Sequence, residues 1–239
     1  MNRIIFTLSL LLAITITHAS ERADHSKWTE LLQKHVTSKG EVDYKGFMDD
    51  IEAFDEYLIE LREKAPMKDW SKDEKKAFYI NAYNAYTIKF IITKYPVKSP
   101  KDAKFSGKDL WNFRMVLIGP QRYTLNQIED NILRRMDDPR IHFAINCGAK
   151  SCPKLLNEAY TADKLNAQLT KVTKEFIQNS EHNTLKAKKV QISKIFEWYE
   201  EDFKENGGSV ISFLNKYGDV TIQDDAKIEY KEYNWALNE

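Results

Sequence analysis

The chain has 239 residues, of which 42% are hydrophobic and 12% aromatic, and it carries 36 basic and 36 acidic side chains. That content suffices for one large core or two small ones. The balanced charge offers no global field for nucleic acid, which drops out as a partner, and lysine-rich patches such as Lys186 to Lys189 read as solvated faces.

The amino terminus has the layout of a secretory signal: Asn2 and Arg3 form the n-region, Ile4 to Ile16 is apolar, and Thr17, His18 and Ala19 fit a cleavage site. Domain organisation is therefore expected as a signal peptide over 1–19 and one domain over 20–239. The apolar run falls short of the about 20 residues that span a bilayer, so no stable membrane span is expected after cleavage. Loss of Arg3 leaves 35 basic against 36 acidic groups. The expected location is periplasmic or secreted. In an oxidising compartment the only two cysteines, Cys147 and Cys152, read as a pair. Their short loop places the stabilisation at the low end of ~2–4 kcal/mol.

Helical spacing predicts a helix over Lys27 to Val36, closed by Ser38, Lys39 and Gly40, and after an extended Val42 and Tyr44 a second over Lys45 to Glu63. Ser71 with Glu74 is a capping box opening a helix to Lys94. That helix is apolar nearly all round, as buried helices are, and its wheel places Asn81 and Asn84 in a stripe with Ala77, Ile88, Ile91 and Ile92. Arg114 to Ile118 and Gln121 to Tyr123 form a hairpin across Gly119 and Pro120. Thr124 and Gln127 cap a helix over Leu125 to Met136 whose stripe includes Glu129, with Asp130, Arg134 and Arg135 facing away.

Ile141 to Ile145 reads as a strand. Beyond it, a helix from Thr161 or Asp163 to Gln178, a strand over Val190 to Ser193, helices over Lys194 to Phe203 and Ser209 to Tyr217, and a strand over Lys227 to Leu237 complete the pattern. The fold class is α+β, a mainly helical single domain with short strands in a small, mostly antiparallel sheet.

The chemistry concentrates in Arg140 to Pro153, RIHFAINCGAKSCP. Strand parity puts His142, Ala144 and Asn146 on one face and leaves Cys147 opposite His142 unless the chain turns at Gly148. Pro153 suits a helix start, which places Cys152 where the dipole favours a thiolate. Glu129 in an apolar stripe needs a partner, with His142 and Arg140 nearest in sequence; an ion pair with Arg140 competes with orienting His142. Asn81 and Asn84 either tie down loop backbone or support an oxyanion. Zinc on His142, Cys147, Cys152 and Glu129 matches none of the usual ligand spacings, so no metal and no cofactor are expected.

Phe78 to Ile88 (FYINAYNAYTI), Tyr123 to Arg134 (YTLNQIEDNILR), RIHFAINCGAKSCP and Tyr233 to Asn238 (YNWALN) together resemble the family known as domain of unknown function 547, over about Val42 to Asn238. The resemblance implies one site holding Asn81, Asn84, Glu129, Arg134, Arg140, His142, Cys147 and the Cys152-Pro153 pair. It supplies no activity. Serine often stands at the position of Cys152 in part of that family, so neither a disulfide nor a Cys152 thiolate is its common property.

Two readings stand. One is a noncatalytic binding or structural module for a small molecule or peptide, stapled by a Cys147 to Cys152 disulfide, with Asn81, Asn84, Arg140 and Asn146 as binding residues. The other is a thiol-dependent hydrolase or acyl transferase with Cys152 or Cys147 as nucleophile, His142 as base, Glu129 as orienter and an asparagine at the oxyanion. Export favours the first.

Overall fold

A computed structural model describes residues 21–204 and 208–239; the expected signal peptide over 1–19 lies outside them. Among the described residues no helix is long and apolar enough to cross a membrane. The α+β class holds, with helices dominant and the strands in three small sheets.

Helix α1 (Ser26–His35) packs on α2 (Tyr44–Asp49) and α3 (Ile51–Glu63). The helix expected over Lys45 to Glu63 is two, because the chain leaves helical geometry at Asp50. The Asp50 carboxylate accepts from His35 Nε2 at 2.7 Å and Lys34 Nζ at 2.6 Å instead of capping α3. The organising element is α4 (Lys72–Lys94), opened by the Ser71–Glu74 capping box and buried along most of its length, including Asn81 and Asn84. Its apolar residues touch neighbours on every side, so its stability comes from packing rather than propensity.

Two ribbons follow, β1 (Lys104–Phe105) with β2 (Lys108–Asp109), then β3 (Val116–Ile118) with β4 (Gln121–Tyr123), the second being the expected hairpin. Thr124 and Gln127 form their capping box, but α5 covers only Leu125–Ile128 before the chain widens into a π turn at Glu129–Leu133 and tightens into a 3-10 turn at Arg134–Met136. Such a bulge re-aims side chains and is frequent at functional sites. Here it starts at Glu129.

The expected strand at Ile141 to Ile145 is a 3-10 helix over Pro139–Phe143, begun by Pro139 and by Asp138, whose carboxylate accepts from the Arg140 amide. Among the described residues no strand pairs with it; α6 (Leu165–Gln178) packs beside it, and Ile141 and Phe143 are buried by packing. After α6, β5 (Thr184–Lys186) pairs antiparallel with β6 (Lys189–Ile192), which pairs parallel with β7 (Lys227–Tyr230). The helix expected over Lys194 to Phe203 is α7 (Ile195–Trp198) and α8 (Glu200–Phe203), broken at Tyr199, and α9 (Val210–Tyr217) ends at Gly218 as expected. The tail beyond Tyr230 is irregular rather than strand, since its backbone bonds go to the cysteine loop.

Candidate functional site

Buried amides build the floor of the site. Asn84, on α4, donates from Nδ2 to the Ala144 carbonyl at 2.9 Å and accepts from the Asn146 amide at 2.8 Å. Asn81, one turn earlier, brackets Tyr160 in the same way, with bonds of 2.8 and 2.9 Å. Both tie down loop backbone, and neither lines the cleft described below. Asn84→Ala strands a buried carbonyl and a buried amide, and each group left unpaired costs about 1–3 kcal/mol. Urea unfolding should register that loss; an unchanged midpoint would contradict the role given to Asn84.

Asn146 locks the cysteine loop from inside: its Nδ2 donates to the Pro153 carbonyl at 2.7 Å and its Oδ1 accepts from the Gly148 amide at 2.9 Å. Gly148 makes the expected turn, with φ +82°, and a Cβ there would lie 2.5 Å from Ile91 Cδ1. Only glycine fits both constraints. The carboxyl-terminal tail clamps the loop from outside, through Lys150 N to Ala236 O at 2.8 Å and Asn238 N to Gly148 O at 3.1 Å. The YNWALN segment is thereby part of the site. Cys152 does not begin a helix; it ends a turn in which its amide donates to the Ala149 carbonyl, and the next helix begins at Leu165.

With 3-10 geometry replacing the strand, parity no longer separates the groups. His142, Cys147, Cys152 and Glu129 all line one cleft of about 280 Å³, at the small end of the ~300–1,000 Å³ typical of ligand sites. His142 is 3% exposed. Its Nε2 lies 2.7 Å from Asp202 Oδ2, while Nδ1 is buried without a hydrogen-bond partner. A carboxylate only accepts, so Nε2 carries the hydrogen and the neutral ring presents a lone pair at Nδ1. Arg134, expected to face away, holds Asp202 with two bonds of 2.7 and 2.8 Å. Although burial pushes the Asp202 carboxyl up, His142 and Arg134 outweigh it and keep the group ionised. The Tyr199 ring stacks on His142 at 3.9 Å, leaving the imidazole little freedom to turn.

The partner of Glu129 corrects the sequence expectation. Arg140 is committed to Asp138 at 2.9 and 3.0 Å and to Asn166 at 2.8 Å, away from the cleft. Glu129 instead accepts from Tyr83 Oη at 3.2 Å and from the Tyr199 hydroxyl. Burial pushes its carboxyl up, more than those bonds and the His142 ring bring it down. The hydrogen-bond partner of His142 is therefore Asp202 and not Glu129.

Both cysteines are free thiols, and the Cys147 amide donates to Cys152 Sγ at 2.9 Å. Their acidities diverge. Burial pushes the Cys147 thiol up, but hydrogen bonds from Cys152, from Tyr233 Oη at 3.3 Å and from the Ala149 amide bring it below its ordinary value. Burial and the neighbouring Cys147 push Cys152 well up. Cys147 is also the more exposed of the two. The expected preference for Cys152 as nucleophile loses its physical basis with the missing helix start.

Asp202, Tyr199 and the aromatic wall escape sequence reasoning. Asp202 closes the acidic run Glu200 to Asp202 with nothing to distinguish it, and Tyr233 and Trp235 read as packing residues of a strand. Among the described residues no group of three or more His, Cys, Asp or Glu is arranged to hold a metal.

Neither the curated proteins nor the solved structures compared with the chain gave a match. Residues 67–177 match the model of a family described as "Protein of unknown function, DUF547". The match is narrower than the expected 42–238 and leaves out Asp202, Trp198, Tyr233 and Trp235. It does contain Asn81, Asn84, Glu129, His142, Cys147 and Cys152, the floor of the site, and it supports reading the chain as a member of the DUF547 family.

Proposed function

We propose that this is an exported, periplasmic or secreted, thiol-dependent acyl hydrolase or acyl transferase in which Cys147 is the nucleophile and His142, oriented by Asp202, moves the protons. The observation that carries the reading is the pairing of an acidified free thiol with a histidine fixed at Nε2 and vacant at Nδ1, both on one cleft. Among the described residues no hydrogen bond joins Cys147 to His142, an arrangement common before substrate fills a site.

As the reaction begins, the Cys147 thiol passes its proton to the lone pair at His142 Nδ1. The sulfur adds to the acyl carbonyl carbon, and the bond to the leaving group breaks as His142 gives it the Nδ1 proton. A thioester remains. Neutral His142 then takes a proton from water, which attacks the thioester, and returns it to the Cys147 sulfur as the acid leaves. Asp202 stays ionised throughout and stabilises the charged ring.

A second reading, the binding or structural module stapled by a Cys147 to Cys152 disulfide, is favoured by the contact between the two cysteines and by the oxidising compartment expected for an exported chain. The test of the first is to treat the protein with p-nitrophenyl acetate and map the acetyl group by mass spectrometry. Acetylation of Cys147, slowly reversed by water and absent from Cys147→Ser, is the expected result; acetylation of surface lysines alone would contradict it.

A further inference from the structure

Apart from the Tyr233 hydroxyl that meets Cys147, the upper wall of the cleft takes no part in the chemistry above. Trp111 stands in the loop before the second ribbon, Trp198 at the end of α7, and Tyr233 and Trp235 in the tail. Their rings form a continuous rim: Trp111 meets Trp235 edge-on at 5.8 Å, Trp235 stacks with Trp198 at 6.0 Å, and Tyr233 lies 4.7 and 4.8 Å from Trp235 and Trp198. Trp198 is 45% exposed, and the other strongly exposed large apolar residues among those described, Met48, Ile59 and Met67, are aliphatic. An indole left that open contributes little to the core, so its place on the rim calls for another explanation.

The lining chemistry narrows the ligand. A pocket for an alkyl chain is walled by Leu, Ile and Met, whereas in this cleft Ile145 and Ile195 are outnumbered by six Tyr and Trp rings. It contains no lysine or arginine, and its one carboxyl is Glu129. Aromatic faces are negative and attract cations, above all methylated ammonium groups, whose charge is spread over apolar methyls. The rim already takes a cation from its own chain, since Lys101 Nζ lies 3.6 Å from the Trp235 ring centre.

We propose that this aromatic cleft binds a methylated ammonium group, with Glu129 as its carboxylate partner. It is the same cleft as in the acyl-transfer reading and names what that substrate carries, but binding needs no reaction at Cys147, so either can fail alone. The groups facing Glu129 are the Tyr83 and Tyr199 hydroxyls, the His142 ring and Asp130. In the empty cleft burial favours its protonated form. A cation in the cleft stabilises the carboxylate against that burial.

Choline and its uncharged isostere 3,3-dimethyl-1-butanol separate charge from shape. Calorimetry on the whole protein should show choline binding about ten-fold tighter than the isostere, the scale of a desolvated cation–π contact. Trp198→Ala, at an exposed position that folding tolerates, and Glu129→Gln should each weaken choline by a similar factor. Equal binding of the two compounds, or binding of neither, overturns the proposal, whereas absence of a Cys147 thioester would overturn only the acyl-transfer reading.

Discussion

Asp138→Ala is expected to cost about 3–5 kcal/mol of folding stability, the scale of breaking a buried ion pair by removing one partner. Asp138 joins two cations: Lys76 Nζ lies 2.7 Å away with its side chain 6% exposed, and Arg140 grips both carboxylate oxygens. Without the carboxylate, Lys76 on α4 is a buried charge with no counterion, and the turn that carries His142 loses the cap that starts it. The pair also sets a pH dependence. Burial pushes the Asp138 carboxyl up, but Arg140 and Lys76 outweigh it and hold it below the ordinary value. Its contribution is therefore present above the unfolded value, about 3.9, and is lost as pH falls toward the lower folded value. Urea unfolding at neutral pH and in acid tests both statements. A loss under about 1 kcal/mol, as at an exposed pair, would show that the network is not buried in solution.

Asp202→Asn is expected to slow turnover through the Cys147 thioester by about 10²–10⁴-fold, the usual contribution of a positioned acid or base. The amide can donate to Nε2, which turns the lone pair away from the vacant Nδ1 side and removes the charge that stabilises the imidazolium. Alkylation of Cys147 should change far less, because that thiol is acidified by Cys152, Tyr233 and the Ala149 amide rather than by Asp202. Loss of the bidentate Arg134 contact also lowers stability, so the comparison belongs at a temperature where both proteins are folded. Hydrolysis of the acetyl-enzyme at the wild-type rate would remove Asp202 from the mechanism.

The parts of the fold governed by local rules were legible. The capping boxes at Ser71 and Thr124 begin helices, a helix starts after Ser209, the hairpin turns at Gly119 and Pro120, and the wheel of α4 buries Asn81 and Asn84. The failures share a cause. Ile141 to Ile145 has the composition of a strand, but a strand needs a neighbour to bond with, and only the tertiary arrangement reveals that none is offered. The same holds at Leu125 to Met136, where apolar spacing fits an α-helix and one extra residue opens a π turn at Glu129. Asp202 and the tail tyrosine reach the site across 60 and 86 residues of sequence, distances over which no periodicity speaks. Sequence proximity also matches Glu129 to Arg140, whose guanidinium is taken by Asp138, its neighbour two residues back.

The strand reading mattered because it put His142 and Cys147 on opposite faces and made Cys152 the better nucleophile. Once the backbone is a 3-10 turn followed by the glycine turn at Gly148, both groups open onto one cleft and the order of preference reverses. Cys152 then has another use, since its thiol donates to Cys147 and its sulfur accepts from the Cys147 amide. A serine at that position could donate the same bond, consistent with the substitution that the family resemblance implies.

The most direct measurement is the pH profile of iodoacetamide labelling, read by intact mass and peptide mapping, on protein purified without reductant. A single fast-labelling thiol is expected at Cys147, with a midpoint below the ordinary thiol value of about 8.5, together with a slow Cys152. A quantitative Cys147 to Cys152 disulfide, or two thiols titrating at the ordinary value, would contradict it.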